Sequence, residues 1–273
     1  MYKLFFLLMM SMVSAQSYRF VYEYKMKPDT VKKDSVIVDY MNLDTDGKKS
    51  YFYNSAKHER DSAYAVTKDF KDLFQAKSYD QNLSYIIQKD YATGKMDFYD
   101  NFKTVNILIP ETESPKWKIE KEFKKINGMN CQKATADYKG RTWEAWFSKE
   151  YPVNDGPYKF SGLPGLIIRL EDAESDHVFN LIQIKKINAL SVVLPKSPKH
   201  ITRAEYKQAM ANYSFTNEDI EGMDVSKQDN KVSIRLKDGY VARFGADEMK
   251  KVRKLDEAIT KRLKRTDNSI ERN

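Results

Sequence analysis

The side chains that most often carry out chemistry in proteins are few in this chain, and they lie far apart. The three histidines, His58, His177 and His200, are scattered, and none is followed by a second histidine or cysteine at zinc-site spacing. The chain has no G-x-S-x-G nucleophile motif and no glycine-rich phosphate loop between a strand and a helix. The sequence therefore predicts no catalytic residue, no metal site and no cofactor.

Cys131 is the only cysteine, so the chain cannot form an intramolecular disulfide bond. A lone thiol is either buried and inert or accessible and reactive. Cys131 falls in a predicted strand that follows Gly128, and no histidine motif of a thiol enzyme lies beside it. We therefore expect a buried thiol rather than a nucleophile.

Two acidic segments raise the question of calcium binding. Residues 44–47 resemble the start of a calcium loop, but they lack further acidic ligands and a closing glutamate, so a hairpin turn is preferred. Residues 171–176 contain four carboxylates and could hold calcium weakly, although a solvated hairpin tip is preferred. No pair of carboxylates stands out as the acid and base of a hydrolase.

The N-terminus predicts the compartment. Lys3 gives a short positive start, residues 4–13 are apolar, and Ser14 and Ala15 supply small residues before Gln16. This is the layout of a secretory signal peptide, so we expect residues 1–15 to be removed and the rest to be exported. The alternative, a membrane anchor, is disfavoured because a spanning helix needs about 20 apolar residues.

Composition predicts an ordered protein with a substantial core. Aromatic residues make up 13% of the chain, and they favour strands and large buried contacts. The net charge is +8, or +7 once Lys3 is removed with the signal peptide. Such an excess can attract anionic lipids, acidic glycans or nucleic acid. Because both signs are interspersed along most of the chain, ordinary solubility is preferred, and no nucleic-acid partner is expected.

Strand patterns dominate the elements that must position these side chains. Residues 18–26 alternate apolar and polar positions, which is typical of a half-buried strand. Two-residue hairpin signals separate consecutive strand-like runs; they are Asp46-Gly47, Asn127-Gly128, Lys139-Gly140 and Asp238-Gly239. Helical spacing is predicted over 54–77 and, after a capping box, over 202–213. The pattern predicts an α+β, mostly β fold: a curved antiparallel meander, or half-open barrel, with one or two packed helices.

We expect one domain over residues 16–245 and a charged helical tail over 246–273. In the tail, apolar residues recur every three to four positions on an otherwise basic helix. Such a helix could contact an anionic membrane surface weakly, but its apolar stripe is narrow and lacks Trp and Phe, so a solvated helix is preferred. The last residues, 266–273, are expected to be disordered. No other apolar run is long enough to span a membrane once the signal peptide is removed.

Residues 156–167 form the most unusual stretch of the chain. Three of the ten glycines and two of the eight prolines lie in these twelve residues, which predicts a shaped loop leading into an apolar strand. No helix follows the loop, so it is not a phosphate cradle. Two roles remain open: a plug at one end of a sheet core, or the lip of a ligand or partner site. The plug is preferred, and it requires Phe160 and Leu163 to point inward.

Residues 126–170 resemble the GLPGLI family of bacterial envelope proteins, which is named for the six residues from Gly162 to Ile167. The resemblance also covers Gly128, Cys131, the aromatic run 143–147, and residues 151–153 and 156–160. It implies a Gram-negative bacterium of the Bacteroidota type and a periplasmic or outer-membrane-associated location. The family's activity is uncharacterised, so the resemblance implies no catalytic residue.

The surplus of aromatic side chains on consecutive hairpins suggests non-catalytic binding of an apolar or lipid-like ligand. The alternative is an accessory subunit of an outer-membrane assembly or transport machine, which would dock through a sheet edge or through residues 156–167. An enzyme is the least favoured class. The candidate ligand or partner residues are Trp143, Trp146, Tyr158, Phe160, Leu163 and Pro164, on a backbone shaped by Gly156, Pro157, Gly162 and Gly165.

Overall fold

The computed structural model describes residues 16–31, 33–67, 83, 85–102, 105–211, 220–226, 231–236, 241–245 and 268–272. Strands dominate this part of the chain, as the sequence predicts. The strands are β1 Ser17–Met26, β2 Ile37–Thr45, β3 Lys49–Asn54, β4 Ile86–Asp90, β5 Met96–Phe102, β6 Val105–Glu111, β7 Lys118–Ile126, β8 Met129–Tyr138, β9 Arg141–Ser148, β10 Leu166–Asp172, β11 His177–Ile187, β12 Lys199–His200, β13 Ile220–Ser226, β14 Lys231–Leu236 and β15 Val241–Gly245. The helices are α1 Ser55–Thr67 and α2 Arg203–Ala211.

Twelve strands form one sheet in the order β12-β6-β5-β4-β3-β2-β1-β11-β10-β9-β8-β7. The sheet consists of two antiparallel meanders, β1 to β6 and β7 to β11, which are joined where β1 pairs with β11. Among the described strands, only the short β12 runs parallel to its neighbour, β6. The prediction of a mostly antiparallel α+β protein is therefore confirmed. Strands β13 to β15 form a separate three-stranded sheet.

The connection between the two meanders shows that the large sheet is strongly curved. Strands β6 and β7 stand near opposite ends of the strand order, yet only residues 112–117 join them. A flat sheet would separate them by about 48 Å at the usual strand spacing, whereas this linker reaches at most about 24 Å. The sheet must therefore curl until its two ends face each other. It stays open, because β12 and β7 have no ladder between them in the described residues.

The turns between strands follow the predicted hairpin signals. At the β7–β8 turn Asn127 and Gly128 have φ values of 50° and 82°, and at the β8–β9 turn Lys139 and Gly140 have 51° and 76°. Two successive positive φ angles are typical of type I′ turns, whose twist matches that of the flanking strands. The residues of the Asp238-Gly239 signal lie outside the described part of the chain.

Aromatic side chains fill the concave interior of the curled sheet. Phe20, Tyr22 and Tyr24 alternate along β1 and are almost completely buried, which confirms the predicted half-buried strand. Phe160 packs against the rings of Trp143 and Tyr138, with centroid distances of 4.6 and 5.5 Å. The interior is therefore a packed core of the kind found in folded domains.

Both described helices begin at capping side chains, and the cap of α2 is the predicted capping box. Asn54 accepts a hydrogen bond from the backbone N–H of Lys57 at the start of α1. At α2, Thr202 Oγ1 accepts from the Glu205 N–H while Glu205 Oε2 accepts from the Thr202 N–H, which is the reciprocal pattern of a capping box. Neither described helix is both long and apolar enough to cross a membrane. The predicted extensions over 68–77 and 212–213 lie outside the described residues.

The predictions for the two ends of the chain compare differently with the structure. The predicted signal peptide and most of the predicted helical tail, 246–267, lie outside the described residues. Residues 268–272, which were expected to be disordered, instead pack against the large sheet. Asn268 and Glu271 are only 1% and 7% exposed. The expectation is wrong here because polar partners far away in the sequence hold this segment, and no local pattern reveals them.

Candidate functional site

The loop of residues 156–167 has the geometry of a plug. Phe160 and Leu163 are buried in the core, as the plug interpretation requires. Gly162 and Gly165 have φ values of 92° and 152°, in the region that favours glycine. A Cβ on Gly165 would lie 2.2 Å from the Ser148 carbonyl oxygen, so the loop also needs glycine for close packing.

A buried ion pair fixes this loop to the sheet. Lys89 Nζ on β4 lies 2.5 Å from Asp155 Oδ1, and both side chains are excluded from solvent. Lys89 also donates to the carbonyl oxygens of Gly156 and Phe160, so its ammonium has a partner for each of its three protons. Asp155 Oδ2 accepts from the hydroxyls of Ser50 and Tyr91 at 2.5 and 2.6 Å. Because every donor is already engaged with protein, this cluster acts as a clamp.

A second buried cluster lies deeper along the loop, at Lys159. Its side chain is fully buried, and Nζ donates to Glu111 Oε1 at 2.6 Å and to Glu271 Oε1 at 2.5 Å. The Tyr158 hydroxyl donates to the same Glu271 oxygen at 2.7 Å. Arg203 on α2 pairs with Glu111 and lies 3.8 Å from Glu271 Oε2. Burial alone would raise the pKa of Glu271, but Lys159 and Arg203 outweigh it and hold that pKa below its ordinary value.

Three members of this cluster, Tyr158, Arg203 and Glu271, line one side of a cavity, which we call the aromatic pocket. The pocket has a volume of about 180 Å³ and is lined by five aromatic rings: Tyr24, Tyr85, Phe98, Tyr158 and Tyr206. The rings of Tyr85 and Phe98 stack at a centroid distance of 5.2 Å. The guanidinium of Arg203 lies 4.3 Å from the Phe98 ring centroid, so a cation also faces the aromatic wall.

Two further polar groups belong to the pocket lining. His177 Nδ1 lies 2.7 Å from the Tyr24 hydroxyl. Burial, together with the positive charge of Arg141, lowers the pKa of His177 to about 3, so the ring is neutral at pH 7. The backbone of Asn268 approaches the imidazole, but His177 Nε2 makes no hydrogen bond of normal geometry within the described residues. The Tyr85 hydroxyl is likewise buried and has no partner there.

Residues 268–272, hereafter the C-terminal strap, close one side of the aromatic pocket. Asn268 Oδ1 accepts from Arg141 at 2.5 Å, and its Nδ2 donates to Asp176 at 3.0 Å. Glu271 inserts its carboxylate into the Lys159 cluster. At the far end, Arg272 donates twice to Glu174 at 3.0 and 3.2 Å. The strap belongs to no strand, so side chains provide much of its attachment.

The predicted site residues have separate locations. Tyr158 lines the aromatic pocket, whereas Phe160 and Leu163 belong to the core. Trp143 packs beside Phe160 in that core, and Trp146 lies under the Lys124 ammonium, which is 3.6 Å from its ring centroid. Pro164 is exposed.

The first two residues of the loop shape its backbone. Glycine at position 156 is required because a Cβ there would meet the Ile167 side chain at 2.6 Å. The carbonyl oxygen of Pro157 accepts a hydrogen bond from the Phe160 N–H.

The other candidate groups, Cys131 and the carboxylates of residues 171–176, are buried or paired with other side chains. Cys131 is fully buried, as predicted, and burial raises the pKa of its thiol. In the acidic hairpin of residues 171–176, Asp172 pairs with Arg141, and Glu174 pairs with Lys33 and Arg272. Within the described residues no group of three or more histidine, cysteine, aspartate or glutamate side chains is arranged to hold a metal ion.

Sequence reasoning missed Lys159, Arg203 and Glu271 as site residues. Lys159 had a usable signal, because it stands between Tyr158 and Phe160 in a loop predicted to enter the core. A lysine in such a place must find a buried partner. Glu271 had no such signal, since it meets Lys159 across 112 positions of sequence.

Comparison with known proteins supports the fold more than the function. The model of a family described as a protein of unknown function (Porph_ging) matches residues 137–169. No curated protein matches this chain. Two solved structures of PNGF-II, in space groups P21 and C2, share 16% and 13% sequence identity with it, each with a TM-score of 0.53. Each match covers 81% of this chain and 40% of the PNGF-II chain, so this chain corresponds to less than half of PNGF-II. At such identities the likeness concerns the fold alone.

Proposed function

We propose that this chain is an exported, non-catalytic binding protein, and that its site is the aromatic pocket. The proposed ligand is a small molecule with an apolar or aromatic body and at least one polar group. Export rests on the signal-peptide pattern of residues 1–15, and a periplasmic or outer-membrane-associated location rests on the resemblance to the GLPGLI family.

The observation that carries the proposal is a pair of poorly satisfied polar groups in the pocket lining. The Tyr85 hydroxyl has no hydrogen bond in the described part of the chain, and His177 Nε2 has only the loose approach of the Asn268 backbone. Leaving a buried polar atom unsatisfied costs about 1–3 kcal/mol. With Tyr24 as donor to Nδ1, the neutral His177 ring carries its proton on Nε2 and offers a donor. A ligand oxygen would satisfy that donor while the surrounding rings cover an apolar body.

The alternative is an accessory subunit that docks through a sheet edge or through residues 156–167, and docking through this loop has less support. Its apolar side chains, Phe160 and Leu163, face the core rather than solvent. Clamping of the preceding segment by Lys89 and Asp155 leaves the loop little freedom to open. A charged residue at position 163 would therefore test folding and not docking.

The test is binding of 2-naphthol to the chain of residues 16–273, followed by its fluorescence and by native mass spectrometry. We expect one molecule bound per chain. Tyr85→Phe should weaken binding about fivefold, because one hydrogen bond is lost while the ring remains. The matched control is Tyr99→Phe, since Tyr99 belongs to a separate buried cluster with Tyr51 and Ile86. Absence of binding to the wild-type chain, or equal affinity of both variants, would refute the proposed site.

A further inference from the structure

The Glu271 carboxylate occupies an anion site at the polar side of the aromatic pocket. Lys159 Nζ and the Tyr158 hydroxyl both contact Glu271 Oε1, at 2.5 and 2.7 Å, and the Arg203 guanidinium lies 3.8 Å from Oε2. Lys159 and Tyr158 belong to the shaped loop, and Arg203 belongs to α2. The three donors are thus positioned by elements that do not depend on the strap for their own backbone structure.

The charge count of this cluster requires a second carboxylate. Lys159 and Arg203 supply two positive charges, and Glu111, which contacts both, supplies one negative charge. Glu271 supplies the other. Lys159 is fully buried, and an unpaired buried charge is strongly unfavourable. When Glu271 leaves, the site therefore retains an excess of positive charge beside aromatic rings, and an incoming carboxylate restores the balance.

The strap is suited to exchange with a ligand. It has no ladder to a neighbouring strand. The side chains of Asn268, Glu271 and Arg272 hold it, together with the N–H groups of residues 268 and 272 and the carbonyl oxygen of residue 269. Arg272 pairs with Glu174 at the surface, where ion pairs contribute little. A ligand that replaced the Glu271 carboxylate would reproduce its hydrogen bonds and would add ring contacts within the pocket.

We infer that the ligand of the aromatic pocket is an aromatic or apolar carboxylic acid. Its carboxylate takes the place of Glu271 at Lys159 and Tyr158, and the C-terminal strap moves away from the pocket. This inference rests on the proposed function, and it adds the chemical class of the ligand and the group that competes with it. Glu271 therefore competes with the ligand carboxylate for the same anion site.

The test compares 2-naphthoate with the uncharged 2-naphthamide, and uses 2-naphthol as the reference that does not depend on the anion site. Wild-type protein should bind 2-naphthoate at least fivefold more tightly than 2-naphthamide. Glu271→Gln should raise the affinity for 2-naphthoate about tenfold or more and change that for 2-naphthol less than twofold. Glu113→Gln is the matched control, because the Glu113 side chain is 67% exposed and pairs with Lys139 outside the pocket.

The melting temperature gives a second test, which does not depend on the affinity for any naphthalene ligand. Glu271→Ala should lower the melting temperature, and acetate should restore it more than chloride at equal ionic strength, because acetate can fill the anion site. The inference would be overturned if wild type and Glu271→Gln each bound 2-naphthoate and 2-naphthamide equally well. It would also be overturned if acetate and chloride changed the melting temperature of Glu271→Ala equally. Retained 2-naphthol binding would then leave the proposed function standing, whereas its loss would refute both.

Discussion

The Lys89 ammonium and the Asp155 carboxylate meet at 2.5 Å where the shaped loop crosses the sheet, and neither side chain reaches solvent to any useful extent. Removing one partner leaves the other charge buried and uncompensated, which usually costs about 3–5 kcal/mol. We expect Lys89→Met and Asp155→Asn each to lower the free energy of unfolding by about 3 kcal/mol in urea titrations.

The double variant Lys89→Met/Asp155→Asn should be less destabilised than the sum of the single variants, because it leaves no unpaired charge. Lys95→Met is the surface control: Lys95 pairs with Asp97 but is 63% exposed, so its loss should cost less than about 1 kcal/mol. Strictly additive effects would contradict the clamp interpretation.

Two glycines of the loop should respond differently to alanine. At Gly165 a Cβ would clash with the Ser148 carbonyl oxygen, and the backbone cannot yield easily; at Gly162 nothing lies within 4 Å of the added carbon. We expect Gly162→Ala to cost about 1 kcal/mol, from the positive φ alone. Gly165→Ala should cost more than about 3 kcal/mol or prevent folding. Chemical unfolding measures the free energy of unfolding of both variants. Equal losses would show that the contact between residue 165 and the Ser148 carbonyl oxygen does not matter for stability.

His177 should make the protein less stable in mild acid. Its pKa is lowered to about 3 in the folded state from 6.5, so between these values the unfolded chain binds a proton that the native state does not. Stability from this residue is therefore complete above pH 6.5 and falls as the pH decreases, by about 1.4 kcal/mol per pH unit.

We expect the wild type to lose about 2 kcal/mol more than His177→Gln between pH 7.5 and pH 5.0, in urea titrations at each pH. Arg272 and Lys33 lower the pKa of the Glu174 carboxylate to about 2, so such groups change the free energy of unfolding only at lower pH. They are present in both proteins and therefore do not affect the comparison. Parallel pH profiles of the two proteins would mean that the pKa of His177 is the same in the folded and unfolded states.

Asn268 should anchor the strap more strongly than its neighbour Ser269. Asn268 is buried and bonded to Arg141 and Asp176, whereas Ser269 is exposed. We expect Asn268→Ala to cost about 2 kcal/mol, because it removes hydrogen bonds to two buried charged groups, Arg141 and Asp176, and Ser269→Ala to cost less than about 0.5 kcal/mol. Hydrogen exchange should show faster exchange at Arg272, whose N–H is bonded to the Lys139 carbonyl, in Asn268→Ala only.

Most of the sheet was predictable because its signals are local. Each type I′ turn needs positive φ at two adjacent residues, and Asn127-Gly128 provides them within the turn itself. The caps of α1 and α2 likewise involve residues three apart. The buried state of Phe160 and Leu163 followed from an apolar loop that leads into an apolar strand.

The pocket was not predictable because it depends on contacts between distant parts of the chain. Glu111, Lys159, Arg203 and Glu271 come from four separate segments, and nothing in the sequence near Glu271 indicates burial. The same reasoning explains the error about the chain's last residues: a polar segment looks disordered until its partners are known. The pairing of β1 with β11, on which the curl of the sheet depends, was not predicted either.

That β1–β11 ladder also constrains the time course of folding. Ser17 pairs with Ile187, so β1 cannot acquire one of its two neighbours until the 170 residues that follow Ser17 have been made. Ladders between such distant segments form slowly, since a long loop must close before any contact stabilises it. Until β11 has been made, β1 is left with an unpaired edge that could pair with another chain, so the order of synthesis exposes the centre of the sheet to misassembly.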